Sequence, residues 1–272
     1  MSEENFKDGS FEESEAEEEL SFTDKVTGII TSPVKTMESV SKFTPKASDW
    51  LLPIMIFIII SGLAIYLYQS NPALKAEMDR KSMEAIDKSF SDKIEKGDLT
   101  QQEADKQKEK ITEQMEKAGS STVFLQIFGI IIFVFITFFI INAIFFLLIK
   151  FVLKGEGNYS SALSAYGLTY YILILQTIIT MILSLAFNKF IVGLSLMNLI
   201  NADMMSFSGF LLRKADPFLI WFYAVLGIAY AKMFHSVDIK KYIILTFAVW
   251  ILGNLLLYYL STLSSFFSGF AM

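Results

Sequence analysis

Apolar residues in this chain run in unbroken blocks of about twenty, the length at which lipid rather than water sets the pattern. The longest block, Val123 to Ile149, holds 27 consecutive residues without an ionisable group, and only Gln126, Thr137 and Asn142 carry strong polarity in it. At about 1.5 Å of rise per residue it is roughly 40 Å long, more than the ~30 Å hydrocarbon core of a bilayer. A surface helix of a soluble domain keeps one polar face, so a helix this long and apolar all round is a membrane span. The same pattern predicts spans over 50–68, 168–187, 218–234 and 242–260, giving five with the long block at 123–149. Trp50 and Tyr68 end the first span at headgroup level, and Pro53 falls near its start, where a missing N–H costs little. Gln176, Thr177, Thr180 and Ser184 in the third span and Asn254 in the fifth are polar groups with hydrogen-bonding capacity in lipid.

Two stretches break the apolar rhythm. Residues 71–121 interleave ten Lys/Arg with twelve Asp/Glu. Leu74, Met78, Ile86, Phe90 and Ile94 make one apolar stripe at helical spacing, and Ala104, Ile111, Met115 and Ala118 make another. Gly97 suits a left-handed stop between them, and Thr100-Gln101-Gln102-Glu103 reads as a capping box opening the second helix. The prediction is an antiparallel, coiled-coil-like helical hairpin outside the membrane. Only Gly119-Ser120-Ser121 separates it from the long span, so the return helix is expected to run almost continuously into the bilayer. Residues 188–217 are too broken by Asn198, Asn201 and Asp203 to cross, and read as interfacial or re-entrant. The fold class is therefore all-α: a five-span membrane bundle, 50–272, with an inserted hairpin.

The N-terminal region has two parts. Residues 1–20 carry nine acidic groups and one lysine with no apolar periodicity, and read as a disordered acidic tail. They lack the basic start and apolar core of a cleavable signal peptide. In 21–49, Phe22, Val26, Ile29 and Ile30 fall at helical spacing. Ser32-Pro33 then offers an N-cap and a first-turn proline for a second short helix with Val34, Met37 and Val40 on one face. Lys35, Lys42 and Lys46 lie beside the first span. This amphipathic segment belongs at the membrane, either against anionic headgroups or packed on the ends of the spans.

The composition narrows the chemistry. The chain is 53% hydrophobic and 15% aromatic, and its net charge of −5 arises largely in the tail. With no cysteine and a single histidine, His235, there is no thiolate nucleophile, disulfide framework or multi-histidine metal site. No cofactor motif and no basic, aromatic-interleaved nucleic-acid face is present. Lys/Arg near the short loops number ten on the side of the N-terminus and three on the other, the hairpin left aside. The positive-inside rule then places the N-terminus in the cytoplasm and the hairpin and C-terminus outside.

Three stretches resemble the Yip-domain family, the Ypt/Rab-interacting class of five-span membrane proteins. Ile29-Ile30-Thr31-Ser32-Pro33-Val34-Lys35-Thr36-Met37 is similar to its entry into the first span. Ala162-Leu163-Ser164-Ala165-Tyr166-Gly167-Leu168 is similar to its small-residue and tyrosine segment, although Tyr170 and Tyr171 stand where a proline often follows. Asp216-Pro217-Phe218-Leu219-Ile220-Trp221, with Gly227 downstream, is similar to its D-x-F-x-x-W stretch. The resemblance covers about 22–260 and implies a bacterial-type member of the cytoplasmic membrane, with five spans, a cytoplasmic N-terminus and no catalytic residues.

The function expected is a non-enzymatic scaffold or adaptor. It would contact the lipid bilayer and protein partners through the N-terminal segment or the 71–121 hairpin; self-association is not legible. The alternative is a transporter, channel or lipid-translocating protein, with Gln126, Asn142, Gln176, Thr180 and Asn254 lining one polar groove. A membrane enzyme lacks a constellation, because Asp203, Asp216 and His235 are scattered.

Overall fold

The computed structural model describes residues 18–95, 97–116, 120–191, 193–196 and 207–263, with side chains described for these except 114–116, 120–127, 207 and 261–263. The expectations for residues 1–17, for Asn198, Asn201 and Asp203, for the join at 117–119 and for the side chains of Met115, Ala118 and Gln126 fall outside the described residues. Every element with described bounds is helical. In chain order they are α1 (Phe22–Thr31), α2 (Pro33–Ser41), α3 (Ser48–Ser70), α4 (Pro72–Glu95), α5 (Gln101–Glu116) and α6 (Ser120–Leu148), which closes in a π turn at Ile149–Leu153; then α7 (Tyr159–Phe187), α8 (Phe207–Lys214), α9 (Pro217–Met233) and α10 (Ile239–Leu263).

Among the described residues, four segments are long and apolar enough to cross a membrane: Ser48–Ser70, Phe128–Leu153, Tyr159–Phe187 and Ile239–Leu260. Pro217–Met233 is a shorter apolar helix of 17 residues, about 25 Å, at the lower limit for crossing.

Contacts along α7 set the direction of its neighbours. The α3 helix runs the same way, since Asp49 meets Ser164 at one end and Asn71 meets Asn188 at the other. α6 runs against it, with Phe138 on Tyr170 and Phe146 on Tyr159. α9 also opposes α7, placing Asp216 at Gln176 and Phe222 at Tyr166. α10 turns back along α9, where Thr246 donates to the Tyr223 carbonyl. The core is a column of rings from Phe138, Phe145, Tyr166, Tyr170, Phe222 and Tyr230, joined edge-on or tilted at centroid distances of 5.1–6.4 Å.

α7 begins at Tyr159, nine residues before the expected span. Asn158 explains the early start, because its side chain accepts from the Ser161 N–H and caps the helix. α1 then packs against α7, and α2 lies on α1 and α9. Ile29 and Met37 are fully buried, and Phe22 packs edge-on against Tyr171. Of the two places open to the amphipathic segment, the structure takes the one against the helices. One detail is corrected: Ser32 makes no side-chain cap hydrogen bond for α2, and its carbonyl instead accepts from the Thr36 hydroxyl. At the short α1–α2 link the two helices approach closely at Gly28, where a Cβ would meet Thr36 Oγ1 at 2.2 Å, and Ser32 takes φ −148° and ψ 57°.

The Thr100 capping box forms as expected. Thr100 N–H donates to Glu103 Oε2 at 3.0 Å, and Glu103 N–H donates to Thr100 Oγ1 at 3.3 Å. Gly97 has φ +76°. Beyond the turn, Lys108 of α5 pairs with Asp87 at 2.9 Å and lies over the Phe90 ring of α4, while Leu74, Phe90 and Ala104 are buried.

Candidate functional site

Two carboxylates are buried against α7. Asp49, 4% exposed, sits in the first turn of α3 and faces Ser164. Its Oδ1 accepts from Lys25 Nζ at 2.8 Å; its Oδ2 accepts from the Lys46 N–H at 3.0 Å and the Ser164 hydroxyl at 3.4 Å. Lys25 also donates to Glu19 at 3.0 Å, and Glu19 reaches on to the Lys46 ammonium. Burial disfavours the Lys25 ammonium, yet hydrogen bonds to Asp49 and Glu19 outweigh it and hold Lys25 above the ordinary lysine value. Hydrogen bonds from Lys46 and then Lys25 hold Glu19 below the ordinary carboxylate value. The cluster pins α1 to the start of α3 and to α7.

Asp216, 2% exposed, lies twelve residues further along α7, about 18 Å away, opposite Gln176. Its Oδ1 accepts from the Phe218 and Leu219 N–H groups and so caps α9. Its Oδ2 accepts from Gln176 Nε2 at 2.9 Å and from the Leu194 N–H at 2.8 Å. The approach of this loop uses Gly193 at φ +76°, where a Cβ would stand 3.1 Å from Oδ2. Upstream, Ile191 N–H donates to Ser184 Oγ at 3.1 Å. Phe190 is held by both backbone groups, its N–H donating to Glu77 at 2.6 Å and its carbonyl accepting from Lys81 at 2.9 Å. One loop therefore touches the base of α4 and the cap of α9.

Of the five residues expected to line a groove, four have described side chains. Asn142 is fully buried and accepts from the Tyr230 hydroxyl at 3.0 Å, with its Nδ2 buried and unpartnered. Gln176 goes to Asp216. The Thr180 hydroxyl returns to the Gln176 carbonyl and Asn254 to the Trp250 carbonyl, both on their own helices. The side chain of Gln126 is among those not described. Among the four described, Gln176 and Thr180 lie together, one helical turn apart.

Two glycines in the quoted stretches mark backbone contacts. A Cβ on Gly167 would stand 2.3 Å from Trp50 Cα, and one on Gly227 would stand 2.6 Å from Ile243 Cα. These close approaches weld α3 to α7 and α10 to α9. The family model of the Yip1 domain matches residues 27–260, well over half of the chain. The chain belongs to the Yip1-domain family. Neither a curated protein nor a solved structure matches it. In this Yip1-domain protein the three stretches have distinct physical parts. Ser32 and Pro33 turn α1 into α2. Tyr166 fills the aromatic column beside the Gly167 contact. Asp216 caps α9, where Phe218 and Trp221 pack at 6.0 Å and Gly227 admits α10.

Sequence reasoning missed the Asp49 cluster. A signal was available in an acidic residue one position before the aromatic start of a span, with a lysine among the apolar residues of α1. Among the described residues, no group of three or more His, Cys, Asp or Glu is placed to hold a metal ion.

Proposed function

We propose that this Yip1-domain protein is a non-enzymatic membrane scaffold or adaptor. It crosses the membrane five times, α9 being the short fourth crossing. The alternating directions of α3, α6, α7, α9 and α10 support that count, and the positive-inside tally supports a cytoplasmic N-terminus with the 71–121 hairpin and the C-terminus outside a bacterial cytoplasmic membrane. The observation that carries the scaffold reading is the pairing of polar groups inside the bundle. Asn142 and Gln176 bond across to other elements, as interhelical glue does, while Thr180 and Asn254 bond back to carbonyls of their own helices, and a continuous polar path is not lined in this way. Partner contacts fall to the charged surfaces of α4 and α5 and to the N-terminal segment.

Ion-flux and lipid-scrambling assays on purified protein in proteoliposomes test the reading. Rates at the level of protein-free vesicles are expected, unchanged in Asn142→Leu and Gln176→Leu. Robust flux that disappears in either variant would replace the scaffold with a transporter. Protease added to intact cells should cut within 71–121, and protection there would reverse the topology.

A further inference from the structure

The end of the bundle where α1 and α2 pack is ringed with ammonium groups. Lys35, Lys46, Lys154 and Lys240 are exposed at this end. Their anchoring elements meet there: Lys232 of α9 pairs with Glu38 of α2 at 2.8 Å, and the Gly155–Gly157 turn lies against Phe234 and Tyr242. Carboxylates stand at the same end, where Glu38, Glu156 and Asp238 are exposed. Glu19 binds Lys25 and the half-exposed Lys46 together, so the chain entering α1 arrives with its carboxylates on this surface.

Directly before that contact, residues 1–17 carry seven carboxylates against a single lysine, Lys7. Seventeen residues reach at most about 55 Å when extended, whereas helices pack 8–10 Å apart, so a bundle end a few helices wide is on the order of 30 Å across. The segment can therefore cover every lysine on the ring. Tethering keeps its local concentration high at any dilution. At physiological salt, charges more than about 8 Å apart are screened, so attraction of this kind acts only in close contact.

We propose that the acidic segment 1–17 docks on the ring formed by Lys35, Lys46, Lys154 and Lys240, continuing the contact that Glu19 begins, and thereby withholds these lysines from anionic lipid headgroups. The occupant is this chain's own N-terminus. Headgroups compete for the same ammonium groups, so the lipid contact of this end is set by whether the tail is seated.

Lysine footprinting tests this on the full chain in phosphatidylcholine nanodiscs at low salt. The comparison protein carries Glu3, Glu4, Glu12, Glu13, Glu15 and Glu17→Gln with Asp8→Asn, which removes charge and keeps length. Acetylation of Lys35, Lys46, Lys154 and Lys240 should rise about threefold in the neutralised protein, and the difference should vanish at high salt, as screening requires. Lys189, at the far end of α7, should not change. Equal acetylation in the two proteins would overturn the proposal, and so would a rise shared by Lys189, which reports loosening of the bundle. A third arm adds phosphatidylglycerol to the discs. If protection follows the anionic lipid fraction and ignores the tail's charge, headgroups and not the tail cover the ring, and the proposal falls. Carbodiimide cross-links from Glu12–Glu17 to Lys35 or Lys46 within one chain are the positive counterpart. Neither outcome depends on the scaffold reading, which the flux assay addresses separately.

Discussion

α7 holds a buried carboxylate at two levels, and the two are stabilised by different means. Asp49 is met by the Lys25 ammonium, a full counter-charge brought from a separate element. Asp216 makes no ion pair among the described residues and is held by four N–H donors, two of them from the helix it caps. A carboxylate at a helix N-terminus carries much of its own compensation, in the oriented peptide dipoles and unpaired first-turn N–H groups. A carboxylate answered by a distant lysine depends on that segment staying in place. The Asp49 end is therefore a joint between parts of the chain, and the Asp216 end is a property of α9 to which a loop and a glutamine have been added.

The largest effect expected from breaking this contrast is at Lys25. Lys25→Met leaves Asp49 buried without its counter-charge, which costs about 3–5 kcal/mol, read as a fall in thermal stability in detergent micelles. The double variant Lys25→Met/Asp49→Leu should recover most of that loss, because an apolar pair of similar volume replaces a buried ion pair at little cost. If the double variant is as unstable as the single one, the cluster acts through packing and the contrast with Asp216 dissolves. Asp216→Ala comes next, at about 2–4 kcal/mol, from a lost cap together with buried N–H groups left unpaired. Asp216→Asn should cost less, about 1–2 kcal/mol, since its carbonyl still serves the cap. It should also raise hydrogen exchange at Leu194, where an amide can no longer accept from both the loop and Gln176.

The pH response sharpens the same difference and is smaller. Glu19 lies below its ordinary value of 4.5, so its contribution is present above that pH and lost as pH falls through the lowered value. Lys25 lies above its ordinary 10.5, so its contribution is present below that pH and lost as pH rises through the raised value. The protection factors of the α1 amides, taken against the intrinsic exchange rate at each pH, should thus be level between about pH 4.5 and 10.5 and fall on both sides. Asp49→Asn removes one cause of the raised Lys25 value and should move the alkaline edge to lower pH. An alkaline edge that stays put would show that Glu19 alone sets it.

How much of this was legible in the sequence differs between the two ends for a physical reason. The spans, the two short helices before them and the Thr100 cap follow from local periodicity and capping chemistry, which a linear reading detects. Asp216 before Pro217 is likewise a local signal for a helix start. The Lys25–Asp49 pair joins positions 24 residues apart through the packing of α1 on α7, and Ser164 joins from 115 residues away. No spacing rule relates them. The groove of Gln126, Asn142, Gln176, Thr180 and Asn254 was a grouping by residue type, and residue type alone does not say that Asn142 meets Tyr230 and Gln176 meets Asp216 while Thr180 and Asn254 bond back to their own helices. α7 starts nine residues before the expected span, because hydropathy falls where α1 packs on it, although the Asn158 cap was already written in the chain.

The smallest effect is expected at a third carboxylate, which isolates what burial adds. Glu103 answers the start of α5 much as Asp216 answers the start of α9, but in the open. The Thr100 hydroxyl and then its N–H hold Glu103 below the ordinary carboxylate value. Thr100→Ala removes the hydroxyl that donates to Glu103 and accepts from its N–H, and water can replace both bonds. The first-turn amides of α5 should exchange faster while the melting temperature of the bundle stays put. A melting temperature that falls as far as in Asp216→Asn would show that the charged segment is fastened to the bundle through its turn. The loop contacts Glu77–Phe190 and Lys81–Phe190 would then have lost their place as the joint between α4 and the spans.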